Sequence, residues 1–154
     1  MTKMTVLAGA VALGLLPAAL HAQEIRAVGA FPEYFVFTRE IAMPFADLVA
    51  EESGGSLSVS FTGPDAVPPL EQFEPTQAGV FDLLFTHPAY HAGTTPLGLA
   101  IDAIAADPEA RREAGILDFI DTYYQETQGM KLIAAPATGS VGFRYYLRAP
   151  IEGP

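Results

Sequence analysis

Strand-length apolar runs alternate along this chain with segments of helical period, and that alternation limits the fold more than any other feature. Residues 25–30 are short and mostly apolar and read as a strand. Residues 34–52 place Phe37, Ile41, Phe45, Leu48 and Val49 at spacings of three and four, the period of a helix with one buried face. Pro44 lies inside that segment, lacks the N–H a helix needs, and is expected to kink or divide it. Gly54-Gly55 supplies the exit, and residues 56–61 then alternate with Leu57, Val59 and Phe61 on one face, as a strand does. Residues 63–69 have loop composition. Residues 70–78 predict a short helix with Glu71 and Glu74 in its early turns, where the helix dipole favours acids; Pro75 weakens it and Gly79 ends it.

Residues 80–85 form a nearly continuous apolar run, as expected of a strand buried on both faces. Residues 87–96 predict a loop, and residues 97–105 are apolar and open to more than one reading. Asp107-Pro108-Glu109 is a helix start, with a capping Asp and Pro at the first helical position. The helix is expected to run in two parts to Gln128 with Ile116, Leu117, Ile120, Tyr123 and Tyr124 as its buried stripe, closed by Gly129. Residues 131–135 and 141–148 predict two more strands around a Pro-Ala-Thr-Gly turn. An order of strand, helix, strand, helix, strand, helix predicts an α/β fold with a mainly parallel sheet flanked by helices. Ligands of such sheets lie beyond the carboxyl ends of the strands, here positions 31–34, 63–67 and 87–90.

The first residues carry a different signal. Lys3 is followed by an eleven-residue apolar run over residues 6–16, a break at Pro17, and small residues before Gln23. Basic start, short apolar centre and small residue at the cut are the layout of a secretory leader, so residues 1–22 are expected to be a signal peptide cleaved after Ala22. Leu20 at the minus-three position leaves the cleaved bond open. The competing reading, a transmembrane anchor, needs enough helix to cross about 30 Å of hydrocarbon, and eleven residues are too few. A periplasmic protein with no membrane span after cleavage is the expectation.

Composition removes other classes. With 154 residues, half of them apolar, the chain is long enough for one domain and has the means to bury a core. The absence of Cys excludes disulfides, thiol nucleophiles and Cys-ligated metals. Eight basic against eighteen acidic residues make a poor partner for nucleic acid. The basic residues are unevenly placed. Residues 23–128 hold four Arg against seventeen acids, whereas residues 129–154 hold Lys131, Arg144 and Arg148 against Glu152 alone.

Read together, several segments resemble one family. Pro44-Phe45-Ala46-Asp47-Leu48-Val49 leads into Glu52-Ser53-Gly54-Gly55-Ser56-Leu57-Ser58-Val59; then come Gln77-Ala78-Gly79-Val80-Phe81-Asp82, Pro88-Ala89-Tyr90-His91-Ala92-Gly93 and Gly142-Phe143-Arg144. In order and spacing, from residue 25 to residue 154, the chain resembles the solute-binding proteins of tripartite ATP-independent periplasmic (TRAP) transporters, the DctP family. The resemblance implies a periplasmic-binding-protein-like fold of type II, two α/β domains clamping a small organic acid between them. It implies delivery of that carboxylate to the membrane subunits of a TRAP transporter, with no cofactor and no chemistry done on the ligand. Family members are about twice this length, near the upper end for a pair of ordinary domains. Residues 23–134 are therefore expected to be the first α/β domain and residues 135–154 crossover strands into an incomplete second one, with the main carboxylate-binding Arg expected beyond Pro154.

The same resemblance implies ligand contacts at Arg144, His87, Tyr90, Phe31, Ala30 and Asp65, and a polar contact near Pro69, whose side chain has no hydrogen bond to give. Taken alone, Arg144 is either an anion anchor, its planar donor fork suiting a carboxylate, or a solvated strand residue paired with a surface acid. His87 and His91 sit four apart, which on a helix shares a face; Pro88 between them and Gly93 after them oppose a regular helix, and a metal there needs Asp or Glu to complete it. Contact of His87 with ligand and an ordinary loop histidine are the other readings. Tyr90 either meets a ligand or packs with its hydroxyl wet.

The alternative class is a periplasmic α/β enzyme, hydrolytic through Ser140 or metal-dependent through His87 and His91. Thr138-Gly139-Ser140-Val141-Gly142 approaches the nucleophile-elbow pattern but has Thr138 in place of its first Gly. Neither a dinucleotide fingerprint nor a P-loop is present. A third reading is a fragment that binds nothing alone.

Overall fold

A computed structural model of the chain describes residues 22–103 and 107–136. The expected leader over residues 1–21, the strand expected over residues 141–148, and Ser140 and Arg144 lie outside the described residues. The fold is α/β: three parallel strands with helices in the connections. Strands β1 (Gln23–Gly29), β2 (Leu57–Thr62) and β3 (Leu83–Phe85) stand in the order β2-β1-β3. β1 pairs with β2 from Gln23 to Val28 and with β3 only from Ala27 to Gly29. Its burial follows that pairing: Gln23 and Glu24 are exposed, whereas Ala27, Val28 and Gly29, where three strands run abreast, are buried.

Arg26 and Asp82 clasp the two strands at the amino end of β3. The guanidinium meets the carboxylate through two bonds, Nε to Oδ2 at 2.9 Å and Nη2 to Oδ1 at 2.8 Å. The backbone N–H of Arg26 also donates to Asp82 Oδ2, and the N–H of Asp82 to the Arg26 carbonyl. These bonds hold the Asp82 carboxyl down to about 2, the side-chain bond from Arg26 contributing most and its backbone bond next.

Pro44 acts as its chemistry requires. It has no N–H to give to Glu40, so the turn before it, Thr38–Ala42, widens to a π turn in which the N–H of Met43 reaches the Thr38 carbonyl. The α-helix α1 (Met43–Glu52) then starts with Pro44 in its first turn. Its expected stripe is not buried. Phe45 and Leu48 are exposed, and no residue of α1 is fully covered among the described residues.

Residues 69–77 form a 3-10 turn, Pro69–Glu71, and a short helix α2 (Phe73–Gln77) ended by Gly79 at φ +80°, a conformation open to glycine. The strand expected over residues 80–85 is a correction. The N–H of Val80 is spent on the Pro75 carbonyl and Asp82 is turned to Arg26, so only Leu83–Phe85 enters the sheet. Among the described residues β3 is paired on one side alone, and its three residues are half-buried. The segments expected as a loop and as ambiguous hold 3-10 turns, Pro88–His91 and Pro96–Ala103.

Asp107 caps α3 (Pro108–Glu113) as its sequence predicts, accepting from the N–H groups of Glu109 and Ala110. Helix α4 (Ile116–Gln128) follows and is closed by Gly129 in the left-handed conformation. Ile120 and Tyr124 of α4 form the core with Phe73, and Leu84, Ile101 and Ile116 pack around them. Full burial of a side chain of this size contributes about 1.5–3 kcal/mol.

The strand expected over residues 131–135 is absent: that segment is irregular and Ile133 is 63% exposed. The cause is Asp121. Its Oδ1 takes the N–H of Leu132 at 2.8 Å, a donor that a strand would give to a ladder, while its Oδ2 takes the Lys131 ammonium at 2.9 Å. The two bonds, that from Lys131 first, lower the Asp121 pKa.

Candidate functional site

In the order β2-β1-β3 the chain leaves β1 to one side and crosses back to place β3 on the other, so the carboxyl ends of β1 and β3 stand side by side, the end of a parallel sheet at which ligands lie. There the chain converts backbone pairing into a cluster of rings. The N–H of Ala30 extends the ladder one residue past β1 by donating to the Phe85 carbonyl at 2.9 Å, and Ala30 is buried. The next residue, Phe31, is half-buried and stands at the centre of the cluster. Its ring stacks on Phe35 at 5.1 Å and meets Phe37, Phe85 and Tyr90 edge to face at 5.5, 6.2 and 6.1 Å. Its carbonyl accepts from the Thr38 hydroxyl at 3.1 Å, which ties the loop to the start of the following helix.

His87 ends the strand side of the crevice. It caps the Pro88–His91 turn, its Nδ1 accepting from the N–H of Ala89 at 3.1 Å. Accepting at Nδ1 leaves the proton of the neutral ring on Nε2, which makes that atom a donor. Phe31, Phe37, Phe85 and His87 line one groove of about 500 Å³ that Phe73, Tyr124 and residues 129–136 also border. Its surface is predominantly apolar.

His91 lies on the same turn but serves the core. Its ring stacks on Phe73 at 4.6 Å, and its Nε2 is hydrogen-bonded to the Tyr124 hydroxyl at 2.9 Å. Thr95, fully buried, bonds the same hydroxyl at 3.3 Å and the His91 carbonyl at 3.2 Å. Burial pushes the His91 pKa down to about 4 and raises that of Tyr124. The two histidines four apart therefore do not converge on one metal. No group of three or more His, Cys, Asp or Glu able to hold one exists among the described residues.

The structure thus brings Ala30, Phe31, His87 and Tyr90 together and leaves Asp65 out. Asp65 is exposed on the turn after β2 and does not line the groove. The residue that reaches from this side to the end of β1 is Gln72, which the sequence reading passed over. It is fully buried, and its Nε2 donates to the carbonyls of Gly29 at 2.9 Å and Val67 at 2.8 Å. Nothing in its local sequence marks it, because its bond to the end of β1 spans 43 residues. Phe35, Phe37 and Phe85 were also missed as members of the cluster, although the recurrence of Phe at 31, 35 and 37 is legible.

The geometry defines a class: a parallel α/β domain with an aromatic-lined groove at the carboxyl ends of its strands. No protein-family model and no curated protein matches the chain. Among the described residues, no helix is long and apolar enough to cross a membrane.

Proposed function

We propose that the chain is an extracytoplasmic solute receptor of TRAP-transporter type, taking up a small organic carboxylate in the periplasm and passing it to membrane subunits. The observation that carries this reading is the open groove at the carboxyl edge of a parallel β2-β1-β3 sheet, lined by Phe31 and His87, with Tyr90 edge to face on Phe31. On this reading the sheet is the first domain of a type II binding-protein fold, residues 1–22 are its export leader, and a second α/β lobe faces the groove. Arg144 supplies the planar donor fork that holds the carboxylate. Closure of the lobes expels water and strengthens that attraction, and the ligand favours the closed state through contacts made only there. The ligand leaves unchanged, and no cofactor takes part.

A thermal-shift screen of the purified protein against organic acids tests this. Saturation at 100 times the dissociation constant adds about 2.7 kcal/mol of stability, read as a rise of several degrees in Tm. A panel without any such rise, or chemical turnover of a bound acid, overturns the reading. Amino-terminal sequencing of the exported form is expected to begin at Gln23.

A further inference from the structure

The receptor reading leaves the acid unspecified, and the ring cluster narrows it. We propose that the cluster around Phe31 selects a monocarboxylic acid bearing one aromatic ring, of the phenylacetate kind, over dicarboxylates and sugar acids. This rests on the receptor reading of the same groove.

Aromatic pairs prefer stacked-offset or edge-to-face contact with centroids about 4.5–7 Å apart. Each ring around Phe31 meets that geometry, and so does the Phe35–Phe37 pair at 5.3 Å and 90°. The cluster is not closed. Phe31, Phe37 and Phe85 line the groove, Phe31 is only half-buried, and Phe35 behind it is 38% exposed. A further ring entering the groove meets edges and faces already set at stacking distance.

The charged groups bordering the same groove are engaged elsewhere. Asp82 is held by Arg26 and Lys131 by Asp121, while buried Arg111 donates to the Ile101 carbonyl. The hydroxyl of Tyr124 is spent on His91 and Thr95. A second carboxylate or a row of hydroxyls pressed on this wall loses water and gains few partners, which is unfavourable. A ligand with one charged end and one flat apolar end suffers no such loss.

Titration calorimetry of the purified full chain with phenylacetate, succinate and gluconate reads the selection directly. Phenylacetate is expected to bind at least about tenfold more tightly than either competitor, the gain of a well-placed ring contact. Phe31→Leu, which keeps an apolar side chain and removes the ring, is expected to weaken phenylacetate about threefold to tenfold and leave succinate unchanged. Phe37→Leu, at another half-buried ring lining the groove, repeats the test, with folding verified by circular dichroism. Tighter binding of succinate or gluconate overturns the aromatic selection while keeping a receptor. Phenylacetate binding that neither variant alters overturns the role of the cluster. Binding of none of the three acids overturns the selection, and the receptor reading then stands or falls on the wider acid screen.

Discussion

Helices α1 and α4 carry similar apolar stripes and meet different fates. In α4, Ile120 is 2% exposed and Tyr124 8%; in α1, Phe45 is 36% exposed and Leu48 53%. Periodicity identifies a helix with an apolar face, but it says nothing of what covers that face. α4 lies against Phe73 and Leu84, and its hydroxyl at Tyr124 finds His91 and Thr95. α1 packs beside β2 and shares Phe45 with the wall of the groove. One helix is fastened by shape and polar pairing together, whereas the other is fastened along one edge.

The largest effect expected from this contrast is at Ile120. Ile120→Ala removes a fully covered side chain and is expected to destabilise the fold by about 2–5 kcal/mol in urea unfolding. Acid should act next, through His91. Its folded pKa of about 4 lies below the ordinary 6.5, so between these values the unfolded chain binds more protons than the folded one. Stability is therefore intact above pH 6.5 and falls as pH drops toward 4, by about 3 kcal/mol at one pKa unit per 1.36 kcal/mol. His91→Gln should flatten that part of the pH profile; an equally steep variant breaks the assignment.

Gly98→Ala probes the same region from the other side. A Cβ there would collide with the Tyr124 hydroxyl, so a loss of about 1–3 kcal/mol is expected, with near-ultraviolet circular dichroism reporting the displaced tyrosine. The smallest change belongs to α1. Leu48→Ala is expected to stay within about 0.5 kcal/mol of the parent, as exposed substitutions do. Should it cost as much as Ile120→Ala, the face of α1 is covered in solution and the contrast disappears.

What the sequence disclosed depended on how local the cause was. Asp107-Pro108 and Gly129 bound their helices through atoms within a few residues, so those limits were readable. Pro44 announced a break, though not the π turn that accommodates it. The segment 131–135 was misread because the group that captures the Leu132 N–H, Asp121, belongs to α4, eleven residues back in sequence. The strand at 83–85 was overextended because an apolar run does not disclose where pairing begins; the Val80 and Asp82 bonds decide that.

At the candidate site, the strand ends pointed to Ala30, Phe31, His87 and Tyr90, of which Phe31 and His87 line the groove and Tyr90 meets the Phe31 ring. Asp65 stands exposed on the turn after β2 and does not line the groove, and Gln72 escaped because its acceptor at the end of β1, the Gly29 carbonyl, lies 43 residues back in sequence.

The clasp of Arg26 on Asp82 has a bearing on the rings it never touches. The smallest slip between parallel strands that keeps side chains on their own faces is two residues, about 7 Å. A slip of that size exceeds every centroid spacing in the cluster and would carry Phe85 and Tyr90 out of reach of Phe31. Alignment at one end of the β1–β3 ladder is thus reinforced by an ion pair at the other, a pin that adds to the backbone bonds holding both rows.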